Sequence, residues 1–353
     1  MKAIGLGVLA LVVAPALFIV VRCSGSGSQP ANAVPELARG ITGYARGESL
    51  TFLTLPEWFI VYSTEEYAHF IGQHRPSGFP YFGSIGQYWS YYGSVCAVTK
   101  REYAFDAGYN TMLGVIGTSF TVENVIKGLY ENIVGRMSEW VGGIDTPEDA
   151  LARRTALEYG AFMHTVPWYE FRFAGRLRSL WTDVPLWGPH VIRKWERRFA
   201  LTAEYAVKAG YGWVIWKATK AAYGDEDLRI HAVVTDAPRE IFDDPRVRLV
   251  RAGGDRSFVV TLPRYEQFTH TVLGLQARGI RFVDIAGNDE ILVTAIVPAA
   301  MQYQSQGGVI ASRPILTDAS RKRIAVRAPV RSLSDVIAHL KERRGSIEHL
   351  YDY

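Results

Sequence analysis

Cysteine is nearly missing from this chain: two occur in 353 residues, Cys23 and Cys96. So low a count excludes a disulfide-dense scaffold and any zinc or iron–sulfur centre built on thiolates. Two readings stand for the pair: a single bridge in an oxidising compartment, or two separate thiols. A dominant charge is lacking too. Lys and Arg total 39 against 35 Asp and Glu, a net charge of +4, which is too mild to point to nucleic acid. The sequence holds no Gly-x-Ser-x-Gly elbow, Gly-x-Gly-x-x-Gly fingerprint, P-loop or Cys-x-x-Cys-His haem attachment. Hence no reaction is legible and no cofactor is implied. Hydrophobic residues at 48% with charged residues at 21% are ordinary for a globular protein, which argues against long disorder.

What is present begins at the N-terminus. Ala3 to Val21 runs nineteen residues without a charge, after Lys2 and before Arg22. At about 1.5 Å per residue a helix of that length spans roughly 28 Å, close to a bilayer's hydrocarbon core. Three readings compete. A retained anchor would keep Lys2 cytoplasmic and, with a bacterial host, place the bulk of the chain in the periplasm. A cleaved signal peptide could end at Ala31-Asn32-Ala33, but that site lies twelve residues past the run, and the run exceeds a usual h-region. Lipidation at Cys23 is opposed by Arg22, where a small residue is wanted. The expectation is a single-pass inner-membrane signal-anchor over 1–22 and a flexible tether over 23–35, rich in Gly and Ser.

Residues 36–226 read as a mainly helical, aromatic-rich domain. Ser49–Thr54 suggests a short strand and Pro56–Phe70 a helix. The Gly- and aromatic-rich stretch between Arg75 and Val95 reads as loop plus short helix. Apolar residues from Met112 to Trp140 recur at three- and four-residue steps, a long amphipathic helix ended by Gly142-Gly143. Thr146-Pro147-Glu148-Asp149 opens a helix to about Met163, and Gly188-Pro189 opens another to about Tyr223. From Asp227 the period becomes 2. Strands interleave there with helices near 264–278 and 332–344, and Ser332 with Asp335 reads as a capping box. Pro263 to Gly279 and Pro329 to Gly345 share one spacing, a weak repeat. The fold class expected is α+β. Residues 227–353 would form a ferredoxin-like antiparallel sheet with both helices on one face.

Three groups of side chains are candidates for function. Arg193, Lys194, Arg197 and Arg198 lie among tryptophans on one helix, which describes either a helix lying on anionic lipid or a scaffold helix packed on 112–140. In the second case Trp213 and Trp216 would be buried. Tyr81, Phe82, Trp89, Tyr92, Trp168 and Tyr169 could wall a ligand cleft, or simply glue loops to the helices. Glu66 and His69, with His164, are weak candidates for a metal, because the Glu-x-x-His spacing occurs only once. The function expected is that of a non-catalytic, membrane-anchored periplasmic protein that binds a protein partner or lipid. The alternative is an enzyme or carrier for an apolar small molecule at the membrane surface.

Overall fold

The computed structural model describes residues 14–28, 33–47, 49–219 and 228–352. Most of the apolar run, residues 3–13, lies outside them. Residues 14–22 are helical. Among the described residues no helix is long and apolar enough to cross a membrane.

A short helix, Leu50–Leu53, replaces the expected strand. Seven longer helices follow: α1 (Leu55–Gln73), α2 (Tyr81–Glu102), α3 (Ala107–Tyr130), α4 (Arg136–Gly142), α5 (Pro147–Met163), α6 (Phe173–Thr182) and α7 (Val191–Thr219). α2 corrects the expected broken loop. It runs 22 residues through Gly83, Gly86 and Gly93. Each helical glycine costs up to about 1 kcal/mol, but Tyr88, Tyr91, Tyr92 and Val95 are fully buried along it, and that packing outweighs propensity. The expected 112–140 helix exists as α3 and α4 joined by a π-turn, Glu131–Gly135. Thr146 caps α5 through a complete capping box with Asp149.

Among the described residues the C-terminal part contains eight strands in two four-stranded antiparallel sheets. The first comprises β1 (Arg229–Thr235), β2 (Arg248–Ala252), β3 (Phe258–Pro263) and β4 (Arg281–Ile285), with α8 (Glu266–Ala277) between β3 and β4. The second comprises β5 (Glu290–Pro298), β6 (Gly308–Ile315), β7 (Asp318–Pro329) and β8 (Ser346–Leu350), with α9 (Leu333–Glu342) between β7 and β8. The orders are β2-β3-β1-β4 and β6-β7-β5-β8. The two halves are therefore the same β-β-β-α-β unit used twice, each enclosing a split β-α-β in which the first strand lies between the two that flank the helix. The expectation of one sheet carrying both helices on one face is corrected: the strands divide between two sheets, each with its own helix. The weak repeat is the trace of this duplication, because Pro263 and Pro329 end β3 and β7, and Gly279 and Gly345 close the helices.

Period 2 explains the burial. Ile230, Ala232 and Val234 of β1 and Ile291, Val293, Ala295 and Val297 of β5 enter one shared core with Phe268, Val272, Val336 and Leu340 of the helices. The opposite face of the first sheet is covered by Ala38 and Tyr44 against Val233 and Val259. Ser332 makes no side-chain cap, so the capping box expected for α9 is not formed. Gly279 ends α8 at φ +81°. Ala at this position should cost about 1 kcal/mol, read as a lower Tm, because a Cβ strains the left-handed conformation.

By chain contacts the molecule divides into a sheet unit and a helical unit. The sheet unit takes residues up to Glu57, Gln87–Thr118 and Gly224 onward; the helical unit takes Trp58–Gly86 and Ser119–Tyr223. Residues 36–57 and 87–118 thus fall with the sheets rather than with the helices. Within the sheet unit, α2 is tied to the second sheet: Gln87 donates to Pro314 O at 2.7 Å and Arg313 donates to Ser90 Oγ at 2.8 Å. Phe18 of the N-terminal helix meets Trp89 and Tyr92 at ring separations of 5.1 and 5.3 Å. Cys23 is bonded to Cys96 of α2, so of the two readings of the cysteines the structure has the bridge.

Candidate functional site

The helical unit is built with its charges inward. On α7, Arg193, Lys194, Arg197 and Arg198 are all at most 3% exposed. They therefore do not face a headgroup layer, which corrects the membrane-surface reading of these four. Each meets a carboxylate. Arg193 reaches Asp149 at 2.6 Å and Glu196 at 3.0 Å. Lys194 reaches Glu148 at 3.0 Å, Arg198 reaches Glu148 at 2.6 Å, and Arg197 reaches Glu131 at 2.8 Å. Arg198 also donates to Leu180 O at 2.7 Å. Glu139 accepts from Ser77 N at 3.1 Å. Buried charges persist only when paired and hydrogen-bonded, and these are.

One turn and a half further along α7 a second group closes a square. Glu123 and Lys127 lie four residues apart on α3, and Glu204 and Lys208 four apart on α7. Lys127 meets Glu123 at 3.0 Å and Glu204 at 2.7 Å; Lys208 meets Glu123 at 3.0 Å and Glu204 at 3.1 Å. Burial works to raise the Glu123 carboxyl, but the Lys208 and Lys127 ammonium groups outweigh it and hold it below the usual range. The same balance keeps Glu204 low. Both carboxylates thus stay ionised well into acid, and the square has no net charge.

The square lines a cavity of about 90 Å³ whose wall also includes Tyr67, Tyr159, Phe120 and Phe173. Burial pushes the Tyr159 hydroxyl up to about 12, against the nearby Lys208. The cavity thus sets a charged side against an aromatic and aliphatic one.

Outward, the same helices are apolar. Ile126, Leu129, Ile133, Met137 and Trp140 recur at steps of three and four along α3, the π-turn and α4, all more than half exposed. They face away from Glu123, Lys127, Glu131 and Glu139. On α7, Ile192, Trp195, Phe199 and Val207 are exposed while the neighbouring cations are buried. Trp213 and Trp216 are exposed as well, so the burial expected of a scaffold helix is not found either. α7 is amphipathic with its faces reversed.

The aromatic candidates are divided between the two units. Tyr81 is buried and lines the cavity, and Phe82 is exposed. Trp168 and Tyr169 meet each other at 6.2 Å, and Trp168 meets Tyr211 at 5.3 Å. Trp89 and Tyr92 belong to the sheet unit, where the Tyr92 hydroxyl bonds Asn110 Oδ1 at 2.9 Å. Of the metal candidates, His69 is exposed and bonds its own helix at Glu65 O, 2.9 Å away. His164 meets Glu65, the neighbour of Glu66, at 3.2 Å. Among the described residues no three His, Cys, Asp or Glu side chains are grouped to hold a metal.

Sequence reasoning missed the square, although the repeated Glu-x-x-x-Lys of α3 and α7 was a usable signal. It also missed Glu57 in the sheet unit, which accepts a hydrogen bond from the Tyr109 hydroxyl. Burial raises its carboxyl to about 7, against the pull of Tyr109 and of the Arg264 charge. A raised carboxyl binds its proton more tightly in the folded state. Its stabilisation is complete below the unfolded value of 4.5 and is lost as pH climbs to about 7. Glu57→Gln should flatten the fall in Tm over that window and raise Tm at about pH 8, as a thermal titration would show.

No protein-family model, curated protein or solved structure matches this chain.

Proposed function

We propose that the protein is held in the bacterial inner membrane by its N-terminal apolar segment and works in the periplasm as a non-catalytic binding or assembly protein. The observation that carries this is the Cys23–Cys96 bond. Cys23 directly follows Arg22, where the apolar run stops. A bridge at that point favours an oxidising compartment on the far side of the membrane from Lys2. It also fastens the end of the segment to α2, leaving the fold at the membrane surface. The doubled sheet module, with split β-α-β units of the ferredoxin-like kind, is read as the binding part. Its edge strand β2 is exposed along its whole length and offers backbone groups to a partner strand.

Membranes from cells making the protein provide the test. The protein should resist carbonate extraction, keep residues 1–33 in its intact mass, and take up no alkylating reagent before reduction. A soluble species starting at Val34, or two thiols that alkylate without reductant, would contradict the reading.

A further inference from the structure

The outer surface of the helical unit is the feature least suited to water. Exposed apolar side chains of α3 and α4 form one continuous stripe, and those of α7 form a second on a helix packed against α4. A protein dissolved in water normally shows the reverse, with apolar stripes inward and paired charges outward. An exposed apolar area of several helical turns marks an interaction surface rather than scatter. The polar groups missing from the stripes have not been lost. They are inside, in two networks whose charges nearly all cancel within the unit.

We infer that the helical unit itself is seated in the lipid of the membrane, its reversed helices placing apolar stripes against acyl chains and their charges against one another. Lipid, rather than a second copy of this chain, is favoured by three observations. The coat covers two neighbouring helices and continues at Trp181 and Trp187, so it is wider than the stripe of one helix. Tryptophans are frequent in it, as they are where protein meets the headgroup level. The chain already carries a nineteen-residue apolar run, so a bilayer is within reach. Ionisable groups survive in such a setting when they face the interior and pair, as Arg193, Glu148 and Lys208 do. The inference rests on the membrane reading above but does not require the N-terminal segment to be retained.

Residues 1–33 contain no tryptophan, so tryptophan fluorescence reports only on the folded part. The full chain is reconstituted in phosphatidylcholine vesicles with plain or brominated acyl chains. Six of the nine tryptophans are exposed, namely Trp140, Trp181, Trp187, Trp195, Trp213 and Trp216. Bromination should therefore lower the emission about twofold, since rings at the boundary of headgroups and acyl chains lie within reach of the bromine. Trp140→Phe together with Trp195→Phe removes two of these six rings and should remove about a third of that loss. A second variant, Met137→Glu with Phe199→Glu, changes exposed positions only. It should keep the native circular dichroism and lose most of the quenching. Flotation of the vesicles, read in parallel, reports the anchor separately. Protein that floats without being quenched keeps the anchor and overturns the seating. Protein that has lost residues 1–33 yet is still quenched overturns the anchor and keeps the seating. A dimer that shields Trp140 from bromine would show a second copy on the coat, and would also overturn the inference.

Discussion

Glu148→Gln should destabilise the helical unit by about 3–5 kcal/mol, as expected when one partner is removed from a buried ion group. Glu148 is fully buried and serves two cations, Lys194 at 3.0 Å and Arg198 at 2.6 Å. The substitution keeps the shape and removes only the charge, so the loss reports electrostatics rather than a cavity. Arg198 keeps the carbonyls of Leu180, Val184 and Pro185. Lys194 relies on Glu148 for its counter-charge and is the residue most affected by the change. Adding Lys194→Met should therefore recover part of the loss, because a neutral side chain of similar length no longer needs a counter-charge. At the partly open square, Glu204→Gln should cost far less, within about 1 kcal/mol, since its lysines retain Glu123 and solvent. Denaturant unfolding of the three variants reads the order directly, and equal losses at Glu148 and Glu204 would contradict it.

Loss of the disulfide should cost the sheet unit about 4 kcal/mol. The bond closes a loop of 73 residues, and chain-entropy reasoning gives roughly that figure for a loop of such length. Cys23→Ser frees the chain that follows the apolar segment, while Cys96 of α2 stays in place as a buried thiol. The measured quantity is the denaturant midpoint with and without reductant. Wild-type protein should fall to the level of the variant once reduced, and the variant should not respond. A midpoint indifferent to reductant would place the two cysteines apart in the folded protein.

The fold was legible where local signals are strong. Thr146-Pro147-Glu148-Asp149 announced α5 because a cap, a proline and two acids act within one turn. The change to period 2 after Asp227 announced strands, and the Pro-to-Gly spacing hinted at the duplication. Sheet count was not legible, because β-β-β-α-β repeated twice and a single sheet with two helices show the same alternation along the chain. α2 was misjudged because its glycines weaken helix propensity, whereas its tyrosines act through tertiary packing that no window of sequence contains. The reversal of α7 has no local signal. Periodicity says that one face is charged and the other apolar; it does not say which face is inside. The carboxylates that draw Arg193 to Arg198 inward come from Glu131, Glu139, Glu148 and Asp149, far off in sequence, and only the assembled unit brings them together.

That charges lie inside the helical unit is the claim on which the rest depends, and lysine reactivity tests it directly. The folded full chain is treated with an amine-reactive reagent, and modification is read lysine by lysine from peptide masses. Lys194 is 1% exposed, whereas Lys217 and Lys341 are exposed. Lys194 should react on the order of a hundredfold more slowly than those two under native conditions, and as fast as they do once the protein is unfolded. Modification of Lys194 in the folded protein at the rate of Lys341 would show that α7 turns its cations outward, and would contradict the reversed arrangement.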